Sequence, residues 1–250
     1  MIIFRWTWES PACYNIPMND LSKMQPLTRE NLPEIVFDRL CELILAGGLE
    51  PGRSVTVATL SKALGVSPMP IREAMARLAH IGALTRQTGR SMGVPTLERK
   101  DFEDLRNVRN VVETAALSWA IDNRTPKFIQ SLEDRLSEMV QAEQASDNHS
   151  FIHCNYLFHF SIYEQADNPV SLEIIRHLWL RICPHFHLLN IRGHLQISNE
   201  IHFELLSAIK EGDKKRAREF LSNDINRAHQ RMVTYLFPDT SQLRDARSEQ

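Results

Sequence analysis

Two histidines, an aspartate and an asparagine in the second half of the chain have the types and spacing to hold a cation. Asn155 and His159 are four residues apart, so on a helix they share one face. His202 and Asp224 lie 10 residues before and 12 residues after Gly212. With Gly212 ending one helix and Asp213 capping the next, a helical hairpin brings these two side chains level. Four side chains from three helices then converge in the core of a bundle, where such folds build metal sites. Two imidazoles, one carboxylate and one amide oxygen make a mixed nitrogen and oxygen set. It suits a divalent metal such as zinc, nickel, manganese or iron, with positions left for water or a ligand carboxylate. A single buried histidine is more often a packing residue; the constellation carries the reading. His153, His177, His185, His187 and His194 read as surface or packing residues. His185 and His187 are the alternates, but their i,i+2 spacing suits a helix face poorly.

These side chains need helices to position them. From Asp101 to about Phe237 no strand pattern appears, and Pro126, Asn148, Asn168-Pro169, Gly193 and Gly212 punctuate helical segments. The reading is an all-α antiparallel bundle of about six helices.

The first half has another texture. Leu32, Ile35, Val36, Leu40, Leu43 and Ile44 recur at helical spacing, and Gly47-Gly48 ends that helix. "LEPGRSV" reads as a turn. "TVATLSKALG" is a short second helix with Thr56 as cap and Gly65 as stop. "PMPIREAMARLAHI" is a third, ending near Gly82, and "ALTRQTGRSMGVP" is a hairpin around Gly89. Three helices and a two-stranded wing make a winged helix-turn-helix, whose third helix enters the major groove of DNA. Proline is tolerated where a helix begins, because the missing N–H has no partner there anyway. Pro68 and Pro70 therefore stiffen the entry to this helix. The N–H of Met69 can face a phosphate, and Arg72, one turn in, can reach a base edge. Ile71, Ala74 and Leu78 share the opposite face. Between Arg53 and Arg90 six residues are basic (Arg53, Lys62, Arg72, Arg77, Arg86, Arg90) and only Glu73 is acidic. That is a local basic patch in a chain whose formal net charge is −2.

With 250 residues and 43% hydrophobic content, the chain has material for two ordinary cores. The expected organisation is an N-terminal arm over 1–30, a DNA-binding domain with its own core over 31–97, a helical bundle over 98–238 and a tail over 239–250. Four distant cysteines without a C-x-x-C pair fit a reducing compartment. No apolar run approaches a membrane span, so the expectation is a cytoplasmic protein. Trp119 and Trp179 read as core residues. No H-E-x-x-H and no Glu-x-x-His pair supports an enzyme.

The stretches "LCELILAGGLEPGRSV", "LSKALGVSPMPIREAMARLAHIGAL" and "GRSMGV" resemble the DNA-binding domain of the GntR superfamily of bacterial transcription regulators. "DLRNVRNVVETAALSWA", "NYLFHFSIYEQADNP" and "EIHFELLSAIKEGDKKRAREFL" resemble the FCD-type effector domain of its FadR-type subgroup. The resemblance implies a dimeric regulator that reads operator DNA and binds a small organic acid, often through a divalent metal. By position it implies DNA contacts at Ser67, Met69 and Arg72 in the recognition helix and at Gly89 and Arg90 in the wing. It also implies that Arg109 faces the effector cavity, whereas its spacing to Glu113 alone reads as an exposed i,i+4 pair. Three departures stand out. The family usually has arginine at Pro68, often has aspartate at Asn155, and often has a third histidine at Asp224. The alternative is a DNA-binding protein whose bundle is purely structural or takes its ligand without metal.

Overall fold

A computed structural model describes residues 32–87, 89, 91–189 and 194–238. The expected arm over 1–30 and the tail over 239–250 lie outside the described residues, as do Arg90 and Cys13. The elements run α1 (Leu32–Leu45), β1 (Ser54–Thr56), α2 (Val57–Leu64), α3 (Pro68–Ile81), β2 (Thr85–Arg86), β3 (Ser91–Gly93), α4 (Arg99–Asp122), α5 (Pro126–Gln144), α6 (Asn148–Gln165), α7 (Pro169–Ile182), a 3₁₀ helix (Cys183–Leu189), α8 (His194–Glu211) and α9 (Lys214–Leu236). The protein is mainly α.

Local chemistry sets these boundaries. Thr56 Oγ1 accepts the N–H of Thr59 to start α2, and Pro68 opens α3. Gly82 ends α3 in the left-handed conformation, with φ of 81°. In the bundle, Thr125, Asp147, Asn168 and Asp213 each accept an N–H of the following helix's first turn. Asp213 thus caps α9 as its sequence position suggests.

The wing is larger than the sequence indicates. β3 pairs with β2 and also with β1, giving an antiparallel three-stranded sheet of order β1-β3-β2. Ser54 and Val55, read above as turn, belong to β1. The register Ser54↔Gly93 presses the carbonyl of Arg53 to 2.5 Å from where a Cβ of residue 93 would sit, so only glycine fits. Three-residue strands fall below the length at which alternation can be read.

The expectation of a separate core in the DNA-binding part fails. Buried residues of both halves form one continuous apolar cluster, from Val36 in α1 to Val233 in α9. The seam runs along α7 and the 3₁₀ helix. Cys183 Sγ donates to the carbonyl of Leu45 at the end of α1, over 3.1 Å. Arg181 Nε lies 3.5 Å from where a Cβ of Gly82 would project, beside the end of α3. From α6, Ile152 Cγ2 packs 3.9 Å from the corresponding point on Gly47. Within the winged unit, Arg77 is not a free DNA cation: it pairs with Glu34 over 2.9 Å and covers the Phe37 ring, tying α3 to α1.

His185 of the 3₁₀ helix is only 2% exposed and packs edge-on against Phe102. Burial, with a contribution from His187, pushes its imidazole down from 6.5 to about 4. The unfolded chain therefore takes this proton at a higher pH than the native state does. The stabilisation is complete above about pH 6.5 and fades as pH falls towards 4, by up to about 3 kcal/mol. Urea unfolding at about pH 7.5 and about pH 4.5 should show that His185→Leu loses less stability on acidification than wild type. An identical loss in both would show that His185 is not the acid-sensitive group.

Candidate functional site

α6 carries Asn155 and His159 on one face, α8 carries His202, and the α8–α9 hairpin turning at Gly212 brings in Asp224. His159 Nε2 lies 3.0 Å from His202 Nε2 and 3.4 Å from Asp224 Oδ2; His202 Nε2 lies 3.8 Å from Asp224 Oδ1. Two donors bound to one ion at about 2.0–2.1 Å stand roughly 3–3.5 Å apart at angles near 90–110°, so the triangle has the size of a coordination face. Its chemistry agrees. Three lone-pair-bearing atoms point at one another in a buried place, an arrangement that needs a cation or a shared proton between them. His159 and His202 are 1% and 0% exposed. Burial opposes the charge of Asp224, yet His202, His159 and Arg109 hold its carboxyl well below the usual carboxylate range.

The triangle opens onto a partly open cavity with both polar and apolar walls. Asn155, His159, Asp224 and Arg109 line it, with Trp179, Phe186 and Ile152 among its apolar walls. His202 stands behind His159, outside the lining. His185 and His187 do not line it either: His187 Nδ1–H donates to the Pro184 carbonyl, and His185 packs on Phe102.

Arg109 is neither an exposed partner of Glu113 nor an isolated cavity cation. It is 4% exposed, lines the cavity, and grips Glu113 with Nε at 2.6 Å and Nη2 at 3.2 Å. Burial works against its charge, but Glu113 outweighs that and raises its pKa. Glu113 also accepts the Trp179 indole N–H at 3.2 Å and the Tyr163 hydroxyl. Tyr163 in turn lies 3.4 Å from His159 Nδ1. Trp179 is thus core and cavity wall together, while Trp119, read as core, is 41% exposed on α4.

At the other end of the chain, α3 buries Ile71, Ala74 and Leu78 completely and leaves Ser67, Met69 and Arg72 exposed. Met69 is 64% exposed, a large apolar side chain standing in solvent at the first turn. Gly89 sits exposed at the wing's turn between β2 and β3. Arg90 lies outside the described residues.

Family comparison agrees with this two-part layout. Residues 32–94 match the model of the bacterial regulatory proteins of the gntR family, and residues 104–227 match the FCD domain. The HTH-type transcriptional regulator McbR of Escherichia coli strain K12 is 31% identical over 183 residues, which cover 70% of this chain and 81% of that protein. The chain belongs to the GntR family. The E. coli McbR/YncC structure superposes with a TM-score of 0.76 at 28% identity, covering 82% of this chain and 98% of that one. A GntR regulator from Rhodococcus sp. RHA1 shares the fold, with a TM-score of 0.66 at 19% identity over 80% of this chain and 97% of its own. This GntR protein is therefore a transcription regulator that binds DNA, and not an enzyme.

In this GntR chain the sequence reading named three side chains of the triangle and the cavity arginine. It missed Tyr163 and undervalued Trp179. The available signal was spacing: Tyr163 follows His159 by four residues, as Glu113 follows Arg109. Glu113→Gln would leave Arg109 buried without its counter-charge and should cost about 3–5 kcal/mol in urea unfolding. The pair Arg109→Met with Glu113→Leu should recover much of that loss. A cost below about 1 kcal/mol for Glu113→Gln would mean that Arg109 finds water or another anion.

Proposed function

We propose that the protein is a ligand-responsive regulator that senses a small carboxylate in the FCD bundle through a divalent cation. The convergence of His159, His202 and Asp224 within ion-sized distances carries this reading. These three would hold the ion, with Asn155 adding an amide oxygen from the same face of α6. The donor set is nitrogen and oxygen, which suits zinc, nickel, manganese or iron. Bound there, the ion would supply positive charge and exchangeable positions to an acid's oxygens. Arg109 spends two of its donor nitrogens on Glu113, and its remaining Nη1 edge would take a ligand carboxylate oxygen. The apolar walls from Trp179, Phe186 and Ile152 would select an acid with a hydrocarbon part.

On the DNA side, Ser67, Met69 and Arg72 would meet the major groove, and Gly89 and Arg90 the backbone beside the wing. The start of α3 offers N–H groups to a phosphate, and Pro68 keeps that turn rigid. Reading two half-sites calls for a homodimer. α4 and α7 leave Val108, Val111, Trp119, Val170 and Ile174 exposed, an apolar surface that a second copy would cover. Among the described residues no helix is long and apolar enough to cross a membrane, and the described cysteines are unbridged. A regulator whose target is operator DNA would work in the cytoplasm.

Elemental analysis before and after chelation tests the ion: wild type should hold one per chain, and His159→Ala and His202→Ala none. A chain that never holds a stoichiometric ion yet still responds to an acid would make Arg109 and Asn155 direct ligand partners instead. Arg72→Ala tests the DNA face. Arg72 is exposed, so stability should hold while operator affinity falls by about 1–3 kcal/mol at equal salt. Unchanged operator affinity would remove Arg72 from the interface.

A further inference from the structure

Tyr163 does not line the cavity, yet it is fully buried between two parts of the site. Its hydroxyl has one proton and two acceptor positions. The proton goes to Glu113 Oε2, because a carboxylate only accepts and Glu113 is clamped by Arg109. Glu113 has no freedom to turn away. Arg109 Nε and Trp179 Nε1 occupy Oε1, while Arg109 Nη2 and Tyr163 occupy Oε2, which uses about all four lone-pair sites. What remains of Tyr163 towards His159 is a lone pair. The atom facing it, 3.4 Å away, is His159 Nδ1.

We propose that Tyr163, anchored by Glu113, is a positioning residue that keeps the His159 proton on Nδ1 and so aims the bare Nε2 lone pair at His202 and Asp224. A neutral imidazole has one donor nitrogen and one acceptor, so a bond at one decides the other. An ion ligand needs the acceptor on the inner side, and outer partners of this kind fix the ring's orientation. The same carboxylate that neutralises Arg109 therefore also sets the state of His159. Cavity cation and metal ligand are tied to one anion. This inference rests on the reading that the triangle holds a divalent ion, but its first observable does not need the ion.

The experiment uses the full chain, labelled with nitrogen-15 on histidine. In metal-free wild type, imidazole NMR should show His159 with its proton on Nδ1. Tyr163→Phe keeps the ring and its packing, and should shift His159 towards the Nε2-protonated form. Circular dichroism should stay unchanged. Titration with Zn²⁺ alone should then give an affinity roughly 10- to 100-fold weaker for Tyr163→Phe than for wild type. An Nε2-protonated His159 in metal-free wild type overturns the proposal, without recourse to any variant. So does equal Zn²⁺ affinity in the two proteins. If wild type shows the Nδ1 proton but takes no Zn²⁺, the positioning stands and the metal reading falls.

Discussion

The buried carboxylate of Glu113 is the constraint around which the FCD bundle is organised. A charge in an apolar interior is tolerable only when it is paired and hydrogen-bonded. Glu113 meets that demand with Arg109 from its own helix, Tyr163 from α6 and Trp179 from α7. Three helices are thereby brought to a common point by directed bonds, where apolar packing alone would set distance but not rotation. The rotation matters. It places His159 towards α8 and α9, and Arg109 along the cavity wall.

The two halves solve different problems with the same element type. The winged unit needs an exposed face of fixed shape, so α3 buries one stripe and is stapled to α1 by Arg77, Glu34 and Phe37. Its polar residues look outward to a ligand much larger than itself. The bundle turns Arg109, Glu113 and His159 inward, and each is held by another buried group. Charge on the surface of the first is cheap, screened by water and salt. In the second it must be balanced within a few ångströms.

Much of this was legible in the sequence, for identifiable reasons. Helix ends were marked by residues that act locally: Thr56, Pro126, Asn168 and Asp213 cap or open helices by bonds within one turn. The hairpin around Gly212 made His202 and Asp224 neighbours by arithmetic alone. The strand β1 was missed because three residues carry no readable period, and its pairing with β3 spans almost forty positions. The 3₁₀ helix was missed because its shorter turn breaks the 3.6-residue pattern. The burial of the Arg109–Glu113 pair depends on α6 and α7 covering α4, which spacing along α4 cannot reveal. Trp119 was misjudged for the complementary reason: nothing covers its side of α4 among the described residues.

The seam between the halves has a thermodynamic consequence. Ile152 lines the cavity and also rests against Gly47, and the 3₁₀ helix that supplies Phe186 to the cavity holds the Leu45 carbonyl through Cys183. The last turn of α1 is thus part of the cavity's outer casing. Close-packed interiors pass displacement on instead of absorbing it. If the cavity takes an effector, any free energy its binding puts into shifting that turn would be felt equally by bound DNA, because coupling between two bound states is reciprocal. Operator and effector would in that sense be ligands of the same wall, each altering the affinity of the other by one shared factor.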